Sequence, residues 1–211
     1  LHAFENESLK NVFSNGKELW FAFSNERVLA MHLMLKGKLE MTSEVTDVKY
    51  PIFALCFTKS KWLTLTDPLG MANVTLDPSN PKVPDALDSA VDFEFLKSKL
   101  MKSKNNYIKS FLIDQKNLRG IGNAYADEIL WSCKISPESI CGKLPDEAIR
   151  SLVVSIPNVL RNAVIELEKA TPDAISGEYR DFLSVHQTIR KESLTGFPIL
   201  IKEIATKRTY Y

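Results

Sequence analysis

A chain of 211 residues is long enough for one or two domains with a real hydrophobic core. Hydrophobic residues make up 45% and charged residues 25%, and no uninterrupted apolar stretch approaches the roughly 20 residues of a membrane span. The net charge of +1 is low for a dedicated nucleic-acid binder, although binding depends on where the charge lies. The three cysteines are odd in number and form no CxxC pair, a pattern that suits neither a disulfide framework nor a zinc site. We expect each to be a small core residue in a reducing, cytoplasmic environment.

The first third of the chain has the alternation typical of antiparallel strands. Asn15-Gly16 is a turn signal. Strands are predicted over five segments, residues 19–23, 28–35, 38–42, 48–57 and 62–65. Strands at this spacing predict a sandwich or a barrel. A proline-rich stretch that contains Pro78, Pro81 and Pro84 follows, and it is the best candidate for a linker.

Helical spacing of apolar residues dominates the rest of the chain. Helices are predicted over four segments, residues 93–100, 108–115, 126–133 and 145–167. Pro157 is expected to kink the last of them. A further short helix is predicted over residues 177–186, and a small β-hairpin within residues 197–211.

Residues 115–130 predict a helix, a tight glycine turn and a second helix. Gly120 and Gly122 are expected to allow positive φ angles, and Asn123 to cap the second helix. The backbone N–H groups of such a helix N-terminus favour an anion, for which DNA phosphate is a candidate, with Lys116 beside it. The alternative is an ordinary capped turn between two core helices, because short motifs often occur by chance.

The whole run from residue 108 to residue 137 resembles the helix-two-turn-helix signature of the formamidopyrimidine-DNA glycosylase/endonuclease VIII family. The resemblance implies that Asn123, after the glycine turn that ends at Gly122, contacts the phosphates that flank a lesion. Lys116 matches the family's lysine in the preceding turn. Glu128 matches its usual acidic residue in the following helix, where we expect a supporting role.

The N-terminal segment resembles the same family. Lys17 matches the lysine of its first β-hairpin, which approaches the lesion phosphates. In the HLMLKG segment, Leu35 takes the place of the residue that fills the gap left by the flipped base, as an apolar wedge could. The Thr66-Asp67-Pro68 segment resembles the opening of the loop with the other gap-filling residues, for which Leu69 and Met71 are candidates. The alternatives are a solvated turn lysine at Lys17 and a core side chain at Leu35.

The C-terminal segment resembles the family's zinc finger, but Glu192 and Thr195 take the places of the first cysteine pair. One carboxylate and one hydroxyl do not make a tetrahedral zinc site, so we expect a hairpin finger without metal. Lys207 or Arg208 would then take the place of the family's phosphate-binding arginine. The finger is expected to be held by the packing of four side chains, Phe197, Ile199, Ile201 and Tyr210.

The resemblance implies an α+β protein, with a β-sandwich domain over residues 1–77, a linker over 78–92, a helical domain over 93–186 and the finger over 187–211. It also implies a base-excision repair glycosylase with AP lyase activity by β,δ-elimination on damaged DNA, duplex or single-stranded. Such an enzyme would act as a monomer, without cofactor or membrane.

In the family, an N-terminal proline amine attacks the flipped nucleotide and the adjacent glutamate transfers protons. The chain begins with Leu1-His2 instead, so no catalytic residue is assigned within it. Two hypotheses follow: a full glycosylase whose Pro-Glu lies upstream of these residues, which we favour, or an inactive lesion-binding paralogue. A third hypothesis keeps only the helix-turn-helix, as an element that binds RNA or protein.

Overall fold

The computed structural model describes residues 2–187, 189–204 and 206–211. The chain divides into two compact units. The first, called the β unit below, comprises Leu1–Asn80 and Asp173–Glu178. The second, called the helical unit, comprises Pro81–Pro172 and Tyr179–Tyr211.

Two antiparallel sheets form the β unit, in the orders β1-β2-β3-β7 and β4-β6-β5. The strands are β1 (Leu9–Asn15), β2 (Glu18–Phe23), β3 (Val28–His32), β4 (Lys38–Thr42), β5 (Pro51–Phe57), β6 (Lys61–Thr66) and β7 (Asn73–Leu76), with short 3₁₀ turns at His2–Phe4 and Thr58–Ser60. Phe21 and Met31 of the first sheet share one buried core with Leu39 and Leu65 of the second. The predicted sandwich is therefore confirmed.

The five predicted strands are all present, but β3 ends at His32 rather than at residue 35. Met34 has a φ of +55°, and the Gly37 N–H donates to the Leu33 carbonyl at 2.9 Å. A Cβ at Gly37 would lie 2.2 Å from the Leu33 oxygen, so only glycine fits this turn. The edge strands β1 and β7 were not predicted, because β1 shows almost no burial along its length and β7 is only four residues long.

Four α-helices build the helical unit: α1 (Phe93–Lys102), α2 (Ile108–Ile113), α3 (Asn123–Ser132) and α4 (Asp146–Ala170). A 3₁₀ turn covers Cys141–Lys143, and the chain ends in a hairpin of β8 (Ile201–Ile204) and β9 (Lys207–Tyr210). The four helices and the hairpin confirm the sequence predictions and the α+β class. The helix predicted over residues 177–186 is wrong: three N–H groups in this segment bond to the carboxylate of Glu128 instead of to helical carbonyls.

Helix α4 runs without a break through Pro157. By length and composition alone it could cross a membrane, which no uninterrupted apolar run in the sequence indicated. A core helix passes the same test, and Ile149, Leu152 and Ile156 on α4 are buried in the core of the helical unit. One face of α4 therefore packs in this core, whereas Val154, Val164 and Ile165 of the same helix are exposed.

The three cysteines differ in burial. Cys141 is buried in the core of the helical unit, and this burial raises the pKa of its thiol to about 11. Cys133 is partly buried and Cys56 is exposed. The expectation of three core cysteines is thus wrong for Cys56, whose side chain points outward from the edge strand β5.

Candidate functional site

One end of the four-stranded sheet collects the candidate residues of the β unit. In the strand register, Glu18 pairs with His32, and His32 pairs with Asn73. The β1–β2 turn, the turn after β3 and the loop before β7 therefore open at the same end of this sheet. These three connections carry four of the predicted site residues: Lys17, Leu35, Leu69 and Met71.

His32 organises the turn at this end of the sheet. Lys17, His32 and Met34 line one surface cavity of about 310 Å³. The Met34 N–H donates to His32 Nδ1 at 3.0 Å, which requires an unprotonated nitrogen. Burial lowers the pKa of His32 below its usual value, the positive charge of Lys17 lowers it further, and Glu18 opposes both. The neutral imidazole thus stabilises the turn that leads to Leu35.

Asp67 fixes the conformation of the loop before β7. Its buried carboxylate accepts the N–H groups of Leu69 at 2.9 Å, Met71 at 2.7 Å and Ala72 at 2.8 Å. Gly70, with a φ of +63°, allows the chain to fold around the carboxylate. Burial opposes ionisation, but the three N–H donors hold the pKa of Asp67 below its usual value. The loop is therefore ordered by an ionised side chain.

The side chains at the tips of these loops are apolar and exposed. Leu35 is 70% exposed, Leu69 56% and Met71 42%. The alternative that Leu35 is a core residue is therefore wrong. Exposed apolar side chains on fixed loops can insert between bases that have lost their stacking partner.

In the helical unit, Gln115 closes the glycine turn between α2 and α3. Its Nε2 donates to the carbonyls of Ile113 at 2.8 Å and Ile121 at 3.0 Å, and its Oε1 accepts the Gly120 N–H at 3.0 Å. Gly120 has a φ of +94°, as predicted, whereas Gly122 has an extended φ of −101°. The expectation of positive φ at Gly122 is wrong, because the backbone reverses at Gly120.

Asn123 is the first residue of α3 rather than its cap, so the predicted capping role is wrong. The cap is Gly122, and no side chain bonds to the helix N-terminus there. Asn123 Nδ2 instead donates to the carbonyl of Arg208 at 2.9 Å. Its Oδ1 is buried and has no hydrogen-bond partner among the described residues. A bond across 85 positions of sequence thus joins the glycine turn to the finger.

The cationic candidates beside this contact are exposed. Lys116 projects from the glycine turn, and its N–H donates to Asp114 Oδ1 at 3.0 Å. Lys207 and Arg208 are both exposed on β9 and, as neighbours in a strand, point to opposite faces. The structure therefore brings Lys116, Asn123 and Arg208 into one unit, where both cations are free to reach solvent.

Glu128 is buried and accepts three backbone N–H groups. These are the N–H groups of Ser184 at 2.7 Å and of Val185 and His186 at 2.8 Å each. This carboxylate fixes the segment that leads from α4 to the finger. Glu128 therefore has a structural role in the helical unit, while a supporting role at the DNA-binding site stays a prediction.

A buried charge network beside Glu128 was missed by the sequence analysis. The carboxylate of Asp127 pairs with Lys109, and both side chains are fully buried. Its second oxygen bonds to His186 Nδ1 at 2.6 Å and accepts the Tyr210 N–H at 3.1 Å. Burial lowers the pKa of Lys109, and the pairing with Asp127 opposes this shift. The available signal was a lysine within the mostly apolar helix α2.

The donor set of the finger does not fit a structural zinc ion. The hydroxyl of Thr195 is hydrogen-bonded to that of Ser193 at 2.9 Å, and the Ser193 N–H donates to the Phe197 carbonyl at 2.8 Å. All three cysteines lie outside the finger, so the carboxylate of Glu192 has no thiolate or imidazole beside it in sequence.

The expected packing of the finger is only partly present. Tyr210 is buried, but Phe197 is 70% exposed and Ile201 is 62% exposed. The expectation that these two side chains hold the finger is wrong, because most of their surface is exposed. Hydrogen bonds between β9 and α3 contribute to holding the finger, which the sequence did not indicate.

A β-sandwich, a helical bundle with a helix-two-turn-helix and a terminal hairpin together define the class of the protein. Residues 1–74 match the family model of the formamidopyrimidine-DNA glycosylase N-terminal domain, and residues 83–174 match that of its H2TH domain. The chain belongs to the formamidopyrimidine-DNA glycosylase family.

Individual relatives show the extent of this similarity. A formamidopyrimidine-DNA glycosylase of Pediococcus pentosaceus is 30% identical, over 98% of this chain and 81% of the relative. One of Rickettsia bellii is 29% identical, over 82% of this chain and 66% of the relative. The structure of a complex between Lactococcus lactis Fpg and abasic-site DNA superimposes with a TM-score of 0.83 at 25% identity, over 97% of this chain and 80% of that chain. A complex of MutM with DNA that contains carbocyclic 8-oxo-G superimposes with a TM-score of 0.82 at 25% sequence identity, with the same coverage of both chains.

Proposed function

We propose that the 211 residues form the DNA-binding scaffold of a base-excision repair glycosylase with AP lyase activity. The observation that carries this proposal is the 2.9 Å hydrogen bond from the Asn123 amide to the Arg208 backbone carbonyl. It joins the two segments, glycine turn and finger, to which the family resemblance assigns phosphate binding. The similar solved structures contain abasic-site or 8-oxo-G DNA, which supports the same substrate class.

In this proposal the helical unit binds the DNA backbone. Asn123 Nδ2 carries two N–H groups, of which one is donated to Arg208, so the other is suited to a phosphate oxygen. Lys116 adds a charge from the glycine turn, where the extended backbone at Gly122 precedes the helix N-terminus. Lys207 or Arg208 adds another from the finger.

The β unit would contact the DNA near the lesion. Lys17 would bind phosphate from the β1–β2 turn. The exposed Leu35, Leu69 and Met71 would fill the space left by a flipped nucleotide, because their turns are held by His32 and Asp67. Which lesion is accepted, and on which strand form, would depend on these apolar tips. We further propose an intracellular monomer that works where genomic DNA is repaired.

No residue of the chain is assigned to bond cleavage. The amine nucleophile and the glutamate that the family resemblance implies are not among the 211 residues. The test is borohydride trapping on an oligonucleotide with an abasic site, using protein that carries its native N-terminus. An adduct that disappears when the N-terminal amine is blocked is expected. Tight, salt-sensitive binding without an adduct would support an inactive lesion-binding protein instead.

Binding itself is tested by the salt dependence of affinity in two variants. Lys116→Ala should weaken binding and lower the slope of log K against log salt by about 0.9, the value for one phosphate contact on duplex DNA. Asn123→Ala should weaken binding to every sequence without changing the slope, because the amide is neutral. Lys102→Ala, at an exposed lysine in the last turn of α1, is the control and should leave the slope unchanged. Equal slopes for Lys116→Ala and Lys102→Ala would refute the role of Lys116.

A further inference from the structure

Apolar packing holds the finger only in part: Ile204 and Tyr210 are buried, whereas Phe197 and Ile201 are mostly exposed. No group of three or more metal-ligating side chains occurs in the part of the chain that the structure describes. Thr209 and Tyr210 are nevertheless buried, so strand β9 lies against the helices along its second half. Contacts with the helices therefore hold this strand in place.

Two side chains of α3 dock the free edge of β9. Asn123 donates to the Arg208 carbonyl at 2.9 Å, and Asp127 accepts the Tyr210 N–H at 3.1 Å. The opposite edge of the strand pairs with β8. Side chains four apart on a helix are about 5–6 Å apart, and residues two apart on a strand about 6.8 Å. The spacing of Asn123 and Asp127, one turn apart on α3, is therefore close to that of Arg208 and Tyr210, two residues apart on β9.

Asp127 is the more constrained of the two. Its carboxylate is fully buried between Lys109 of α2 and His186, and the ring of His186 lies 4.5 Å from that of Tyr210. Four elements thus meet at one side chain: α2, α3, the segment after α4 and β9. A shift of β9 would leave a buried carboxylate with fewer donors, which is costly.

We propose that Asp127 is a positioning residue for DNA binding: it docks strand β9 so that the side chain of Arg208 is presented to phosphate next to Asn123. This inference rests on the proposed function. In this proposal a buried carboxylate positions the finger, whose own residues do not form a zinc site.

The test must avoid leaving Lys109 buried without a partner, because that alone would destabilise the fold. Two double variants solve this, both with Lys109→Met: one adds Asp127→Asn and the other Asp127→Leu. Both remove the buried charges at similar volume, but only asparagine can still accept the Tyr210 N–H. Rescue by asparagine therefore separates docking from general stability.

The expected results are specific to the finger. In the leucine variant the Tyr210 amide should exchange with solvent faster than in the asparagine variant. Its affinity for abasic-site DNA should fall about tenfold or more, the loss of one charged hydrogen bond, and the salt slope by about 0.9. A protein that is only partly unfolded would instead show a smaller active fraction with an unchanged slope.

A double-mutant cycle with Arg208→Ala completes the test. If Asp127 acts through Arg208, the leucine substitution should add little in the Arg208→Ala background. Additive losses, an unchanged slope, or equal exchange of the Tyr210 amide in both variants would overturn the proposal. Failure of the parental chain to bind DNA would overturn the proposed function and the DNA role of Asp127 together, while amide exchange would still decide whether Asp127 docks β9.

Discussion

Replacing Glu128 with alanine should destabilise the helical unit strongly. The carboxylate accepts three backbone N–H groups, from Ser184, Val185 and His186. Each buried N–H left without an acceptor costs about 1–3 kcal/mol. Water can reach the N–H of Ser184, which is only partly buried, so the total expected loss is about 3–4 kcal/mol.

Glu128→Gln should cost less, about 1–2 kcal/mol. The N–H groups of Val185 and His186 share one carboxylate oxygen, which a glutamine carbonyl can replace. The other oxygen, which accepts the Ser184 N–H, would become an NH₂ group facing another donor. The two variants therefore predict an order of stability: wild type, then glutamine, then alanine.

The assay is urea denaturation followed by far-ultraviolet circular dichroism, which reports mainly on the helices. Glu166→Ala is the matched control, because Glu166 forms an exposed pair with Lys169 at 2.9 Å that contributes less than about 1 kcal/mol. A loss below about 1 kcal/mol for Glu128→Ala, or equal losses for Glu128 and Glu166, would refute the reasoning.

Three further predictions concern separate features. Because the pKa of His32 is lowered in the fold, the unfolded chain protonates first, so stability should fall as pH drops below 6.5 and level off below the folded pKa. His32→Gln should remove this pH dependence in denaturation curves, and in the wild type the protection of the Met34 N–H against exchange, relative to an unstructured peptide at the same pH, should fall on acidification. At neutral pH, Ellman's reagent should label Cys56 quickly, whereas rapid labelling of Cys141 would contradict its burial and its pKa of about 11. Gly120→Ala should cost about 1–2 kcal/mol in the same urea assay, since its φ is +94°; no loss would contradict the strain expected there.

The sequence alone determined most of the helices and strands, because the spacing of apolar residues is a local property, and the family resemblance implied how they are arranged in domains. Alternating residues predicted the central strands, and helical spacing predicted α1 to α4. The helix predicted over residues 177–186 failed because Glu128, more than 50 positions away, takes the N–H groups that a helix would use. Local pattern carries no information about such a distant acceptor.

The same division holds for the candidate site. The motifs that carry the family resemblance predicted Lys17, Lys116, Asn123, the finger cations and Glu128 as site residues, because residue types and spacing are local properties of the sequence. Only the fold showed that Asn123 contacts the backbone of Arg208 and that Asp127, Lys109 and His186 form one buried network. The physical reason for these contacts is burial. A buried charge is stable only beside a partner, and that partner can come from any segment that the fold brings close, however distant in sequence.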